Sequence, residues 1–218
     1  MLPQFSYGQN VGISLQIRPP PKVNFTDLNS CLMNRNPTFH YNVDHEQEIR
    51  NCSVSINNKH NFTNSSISSG TVNDFRFYEL YPGSYNVSIN CTDALNLSTI
   101  INESFLVNSI TKFNGSTTNI SKFNCRNISN FVTEIPSYGK INFSDSVDFS
   151  RGFDLDSYLN ISFNKISLDS SILTAMNKSA TLQIVGLTMS NPRITMNGVV
   201  CPDEICKKVS YSGGVLIF

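Results

Sequence analysis

Two short stretches, NCSVSIN at 51–57 and YNVSINCT at 85–92, alternate between apolar and polar side chains without a break. In the first, Cys52, Val54 and Ile56 share one parity, and Asn51, Ser53 and Ser55 share the other. In the second, Tyr85, Val87, Ile89 and Cys91 oppose Asn86, Ser88, Asn90 and Thr92. Successive side chains of a strand point to opposite faces, so each stretch predicts a strand with one buried and one wet face. Each strand also carries a cysteine on its buried parity. Two inward cysteines on two half-buried strands can meet within bonding distance, which predicts a Cys52–Cys91 disulfide. In the chain-entropy treatment, closing a loop of about 40 residues contributes roughly 4 kcal/mol, a large share of the stability of a small domain.

The same period runs through most of the chain, with turn residues every eight to twelve positions, and this predicts an all-β protein. Strands are expected over 11–17, 38–43, 51–56, 74–80, 85–92 and 98–107. RPPPK at 18–22 ends the first of them, because proline donates nothing to a ladder. YPGSY at 81–85 is a tight turn that feeds the Cys91 strand. About seven short strands in roughly 95 residues imply an immunoglobulin-like β-sandwich, assigned to 1–108. In an antibody-type domain the bridge joins the strands called B and F. Here the first cysteine falls one strand later, so a C-to-F link within one sheet is expected.

A second β-rich domain is assigned to 109–218. Its short alternating runs are KINF, VDF, LNISF, KISL, ATLQIVGL and RITM. A second sandwich fits them better than a short solenoid, whose rungs would be unevenly spaced. SSILTAMN at 170–177 is the one stretch that reads as a helical turn. KKVSYSGGVLIF reads as a hairpin, with Val209 and Tyr211 facing Val215 and Ile217 across Gly213-Gly214.

Solubility comes from uncharged polar groups. Charged residues are 15% of the chain, and sixteen basic residues balance sixteen acidic ones, so there is no polyelectrolyte footprint for nucleic acid. The chain has 28 Asn, 30 Ser and 14 Thr. Chance would place Ser or Thr two positions after roughly 6 of the 28 Asn. Fourteen Asn-x-Ser/Thr acceptors occur: Asn24, Asn51, Asn61, Asn64, Asn86, Asn90, Asn96, Asn102, Asn114, Asn119, Asn127, Asn142, Asn160 and Asn177. An excess above twofold points to N-glycosylation and export, although alternating polar faces supply some Asn-x-Ser on their own. Asn51, Asn86, Asn90, Asn142 and Asn160 all lie on the polar parity of their strands, where a glycan would face solvent.

In an extracellular setting the six cysteines read as disulfides. Cys201 and Cys206 enclose four residues in CPDEIC, and a local bridge there is worth about 2 kcal/mol. A zinc half-site is the alternative reading, but no second cysteine pair or nearby histidine completes it. Cys31 and Cys125 remain, and as the residual pair they would tie the two domains together. No signal peptide is visible, and no apolar run exceeds five residues, so no membrane insertion of this segment is expected. The apolar ending, YSGGVLIF, fits a piece of a longer precursor.

No catalytic constellation or cofactor motif stands out. The nucleophile elbow, the dinucleotide fingerprint and the phosphate-binding loop are all missing. DHEQE at 44–48 could hold a cation through His45, but it reads better as a solvated loop. His40 and His60 read as surface and loop residues. Asp145, Asp148, Asp154 and Asp156 could supply oxygen ligands to calcium or could simply populate turns. With no Trp, a sugar-stacking groove is disfavoured.

NCSVSINNKHNFTNSSI together with FRFYELYPGSYNVSINCTDALN resembles the Ig-like repeat of large secreted and surface-anchored archaeal proteins. The shared motifs are Asn-Cys-Ser at 51–53, Pro-Gly-x-Tyr at 82–85 and Asn-Cys-Thr-Asp at 90–93. The tail, with its Cys-Pro-x-x-x-Cys turn and Tyr-Ser-Gly-Gly hairpin, resembles a module that often follows that repeat. The resemblance implies a noncatalytic, disulfide-bridged, glycosylated module, and it names no ligand. The expected function is therefore structural or adhesive, at a cell surface or outside the cell, with other surface proteins or glycans as partners. The alternative is a spacer within a larger secreted enzyme, such as a polysaccharide-active one.

Overall fold

The computed structural model describes residues 18–123 and 125–218, so the strand expected over 11–17 lies outside the described residues. The first half contains β1 (Lys22–Phe25), β2 (Cys31–Leu32), β3 (Thr38–Asp44), β4 (Ile49–Ile56), β5 (Lys59–Asn64), β6 (Val72–Arg76), β7 (Gly83–Asp93) and β8 (Ser98–Val107). They form two sheets, β1-β3-β6 and β2-β8-β7-β4-β5. Along these strands the chain crosses between the sheets at every connection except β4 to β5 and β7 to β8. This is the connectivity of an Ig-like sandwich.

Apolar side chains at alternate positions fill the space between the sheets, and β1, which contributes Val23, forms where a loop was expected after RPPPK. Val23, Phe39, Tyr41, Val43 and Phe75 come from one sheet. Cys52, Val54, Val87, Ile89, Cys91, Phe105 and Val107 come from the other, and all are buried. The Phe39 and Phe105 rings meet across the sandwich at 4.8 Å between centroids. β5 forms where a polar loop was expected. Asn57 and Asn58 both take positive φ, at 48° and 62°, which makes a two-residue hairpin turn and sends the chain straight back along β4.

The second half contains β9 (Val132–Ile135), β10 (Gly139–Phe143), α1 (Leu155–Tyr158), β11 (Leu159–Ser162), β12 (Lys165–Leu168), β13 (Ala180–Ile184), β14 (Thr195–Met196), β15 (Val199–Val200), β16 (Ser210–Ser212) and β17 (Val215–Ile217). One sheet runs β16-β17-β13-β10-β9, and β11-β12 and β14-β15 are separate hairpins. All of these ladders are antiparallel, which is not the stacking of solenoid rungs. Phe131, Ile141, Phe143, Phe149, Leu155 and Leu159 are among the residues that fill the core.

Two local expectations needed revision. The chain makes a 3₁₀ turn at Thr174–Met176, inside the stretch read as helical, but the α-helical turn is α1. Asp154 caps α1 by accepting from the Ser157 backbone N–H at 3.0 Å. The C-terminal hairpin is present, but one register away from that expected. Gly213 and Gly214 (φ 56° and 78°) form a two-residue turn, which sets Ser212 opposite Val215 and Tyr211 opposite Leu216.

The halves are stitched together by backbone. β2 runs parallel to β8, and Cys31 packs with the second core rather than the first. Buried Asn108 accepts from Phe153 N–H at 2.9 Å and donates to the Leu32 carbonyl at 3.3 Å. Ser109 N–H donates to the Phe153 carbonyl at 2.8 Å, and Leu155 N–H donates to the Ser109 carbonyl at 2.9 Å. Gly152, at φ +72°, lies directly against the Gly83 backbone.

Candidate functional site

The structure joins all six cysteines. Cys52 and Cys91 lie opposite one another on β4 and β7, within a single sheet and with Cα atoms 4.0 Å apart. Both are fully buried under the sandwich core. Cys31 bonds Cys125 across the two halves, with a sequence separation of 94. Cys201 bonds Cys206 and closes the CPDEIC turn.

The other face of the β4 and β7 strands is a field of hydroxyls and amides. Ser53 and Thr63 share a hydrogen bond at 3.1 Å, and Thr92 and Ser98 share one at 2.8 Å. Ser88 donates to Asn102 Oδ1 at 2.6 Å, and Ser104 donates to Asn86 Oδ1 at 2.7 Å. In Asn86 and Asn102 the bonded atom is thus the amide oxygen, not the nitrogen that a glycan would take. Asn102 pairs with Ser88, midway between Asn86 and Asn90 on the neighbouring strand, so it stands about 7–8 Å diagonally from each. Asn51, opposite Thr92, is next to Asn90 on the other side. Four acceptors therefore crowd one patch of one sheet.

Burial sorts the asparagines. Eleven of the fourteen acceptors are exposed, including Asn86, Asn142 and Asn160. Asn51, Asn64 and Asn90 are half-buried. Among the described residues the only buried asparagines are Asn73 and Asn108, and neither is an acceptor. Asn64 Oδ1 accepts from Ser66 N–H at 2.9 Å, and Asn90 Oδ1 is enclosed without a hydrogen-bond partner.

The polar residues singled out as candidate ligands are engaged in holding turns. Asp148 accepts from Ser150 N–H at 2.9 Å, and Asp154 caps α1. Asp156 accepts from the Ser109 hydroxyl at 2.7 Å, the Thr111 N–H at 2.9 Å, the Thr111 hydroxyl at 2.7 Å and the Lys112 N–H at 3.0 Å. Burial pushes the Asp156 carboxyl up, but these donors outweigh it and hold the group below the usual carboxylate value. Asp145, Asp148, Asp154 and Asp156 are not brought together as a ligand set. Among the described residues no group of three or more His, Cys, Asp or Glu side chains could hold a metal ion.

The histidines are also spoken for. His40 Nδ1 meets Asp27 at 2.6 Å on the surface. His60 Nε2 meets Thr63 Oγ1 at 2.9 Å on β5. His45 Nε2 lies 3.0 Å from buried Asp93, which also accepts from Leu95 and Leu97 N–H at 2.9 and 2.8 Å. Ser69 is beside His45, but its hydroxyl bonds the His45 main chain, accepting from N–H at 3.0 Å and donating to the carbonyl at 2.9 Å. With the serine on the backbone instead of the ring, Ser69, His45 and Asp93 do not assemble a nucleophile and base. Their geometry anchors two loops. The Asp93 anchor went unrecognised in the sequence; the signal that could have exposed it is the Asp-x-x-Asn-x turn at 93–97.

No protein-family model matches the chain, and no curated protein matches it. Among solved structures, the fibronectin(III)-like modules of Clostridium thermocellum CbhA match with a TM-score of 0.38 at 11% identity, over 48% of this chain. The match spans 55% of that chain's length, so it takes in only about half of each protein.

Proposed function

We propose that this chain is a noncatalytic, glycosylated extracellular module of a cell-surface or secreted protein, whose role is structural and adhesive. The observation that carries the reading is the joint placement of cysteines and acceptors. Every cysteine is in a disulfide, which suits an oxidising compartment. No acceptor is buried, while the two buried asparagines are not acceptors. The resemblance to archaeal surface repeats adds to this reading. So does the use of Asp148, Asp154, Asp156 and His45 as anchors of turns and loops. Other surface proteins or glycans are the partners this surface suits: it is balanced in charge and rich in hydroxyls and amides.

Glycopeptide mapping of protein from its native host tests the reading. Glycans are expected at exposed acceptors such as Asn86, Asn142 and Asn160. Non-reducing peptide mass spectrometry should recover Cys31–Cys125, Cys52–Cys91 and Cys201–Cys206. An unmodified native chain with free thiols would overturn the assignment.

A further inference from the structure

The three disulfides are arranged in an order that matters under tension. Cys52–Cys91 lies wholly inside the loop closed by Cys31–Cys125. A pull applied through the two ends of the chain enters along the segment before Cys31 and leaves along the segment after Cys125. At Cys31 the covalent path divides. One branch runs through residues 32–124, and the other crosses directly to Cys125, whose Cα is 5.5 Å away. The short branch carries the load, because the long one stays slack until the bridge breaks.

We propose that Cys31–Cys125 is a load bypass that excludes β3 to β8 of the first sandwich from the force path. The inference rests on the reading of the chain as a structural module, but its mechanics follow from connectivity alone. Strand β1 is the sole described strand of the sandwich that lies before the bridge. Among the described residues it pairs only with β3, through Lys22–Asp44, Val23–Val43, Asn24–Asn42 and Phe25–Tyr41. Tension can peel β1 away but stops at Cys31, which is fully buried in the second core. The acceptor-bearing sheet beyond it keeps its shape while the second half extends. A module built this way presents the same outer face whether or not it is loaded.

Single-molecule stretching of the full 218-residue chain, tethered at both termini without reductant, tests this. At about 3.5 Å per residue, the 94-residue separation hides about 33 nm of contour, and the oxidised chain should fall short of full extension by that amount. Cys31→Ser should release part of it. The inner bridge, with a separation of 39, still holds its own loop, so 94 less 39 leaves 55 residues, or about 19 nm of new length. The Cys52→Ser, Cys91→Ser double variant should add nothing, because the outer bridge still shields it. If Cys31→Ser fails to fold, adding reductant to the tethered wild-type chain should release the whole length, about 33 nm. An oxidised wild-type chain that extends through residues 32–124 would overturn the bypass, as would a double variant that lengthens. Neither result bears on glycan occupancy, so failure here is separable from failure of the functional reading.

Discussion

Gly70 and Gly152 share nearly the same positive φ in different surroundings, and alanine at each gives two different expectations. Their φ values are +73° and +72°. A Cβ on Gly70 would meet nothing within 4 Å. A Cβ on Gly152 would fall 2.2 Å from Gly83 N, 2.6 Å from Gly83 Cα and 2.6 Å from the Val107 carbonyl oxygen. The conformational cost is common to both, about 1–2 kcal/mol for an L-residue in the left-handed region. The steric cost belongs to Gly152 alone. All three neighbours are backbone, so no side chain can rotate aside and the junction itself must move. Overpacking of this kind costs about 1–3 kcal/mol. Gly70→Ala should therefore lose about 1–2 kcal/mol, and Gly152→Ala about 2–5 kcal/mol. Urea denaturation at fixed protein concentration, read by tyrosine fluorescence, measures the difference through the transition midpoint. Equal losses in the two variants would refute the claim that the halves meet by backbone contact at Gly83 and Gly152.

Further perturbations probe the anchors and acceptors. Asp156→Asn replaces a carboxylate serving four donors and should cost about 2–4 kcal/mol in the same urea assay. The folded Asp156 carboxyl titrates below its ordinary value of 3.8, so its contribution is complete above that pH and is lost as pH falls through the folded value. Denaturation followed from about pH 6 to about pH 2 should accordingly show a shallower acid loss in Asp156→Asn than in wild type. At the alkaline end, burial, opposed by the Asn64 hydrogen bond and reinforced by Asp74, pushes the Tyr41 hydroxyl up to about 12. Its contribution is intact below the ordinary value of 10.0 and is lost between about pH 10 and 12, at most about 3 kcal/mol, so Tyr41→Phe should flatten that limb. Site-resolved glycopeptide mapping should find lower occupancy at Asn64 than at Asn86, since Asn64 is half-buried with its amide oxygen held by Ser66 N–H while Asn86 is exposed.

What could be read from the sequence was whatever alternates. The β4 and β7 strands carry an apolar residue at every second position, so their faces, and with them Cys52 and Cys91, were legible from the residues alone. β8 was expected over 98–107, the bounds it has in the fold. β5 escaped notice because, apart from Phe62, it is polar along its length; among the described residues it is an edge strand that pairs with β4 alone. Its signal was conformational instead, in Asn57-Asn58, two residues that tolerate positive φ. The aspartates of 145–156 read two ways, as calcium ligands or as turn residues, and spacing alone does not separate the two. Asp148 and Asp154 accept from local backbone N–H groups, while Asp156 accepts from Ser109, Thr111 and Lys112, more than 40 residues away in sequence, which composition cannot show.

Cys31 shows where pattern reading gives out. β2 is two residues long, too short for any period to register, and its partner β8 is more than 70 residues away in sequence. Parallel pairing sets Cys31 beside Leu106, whose neighbours Phe105 and Val107 point into the sandwich. Alternation then turns Leu106 and Cys31 the other way, towards the second core, where Cys125 is waiting. The rule that puts Cys91 and the acceptor Asn90 on opposite faces of β7 thus also decides which core Cys31 enters. In the first case it lets one strand hold a staple inside and acceptors outside. In the second it carries a cysteine out of its own sandwich and makes the bridge between the halves.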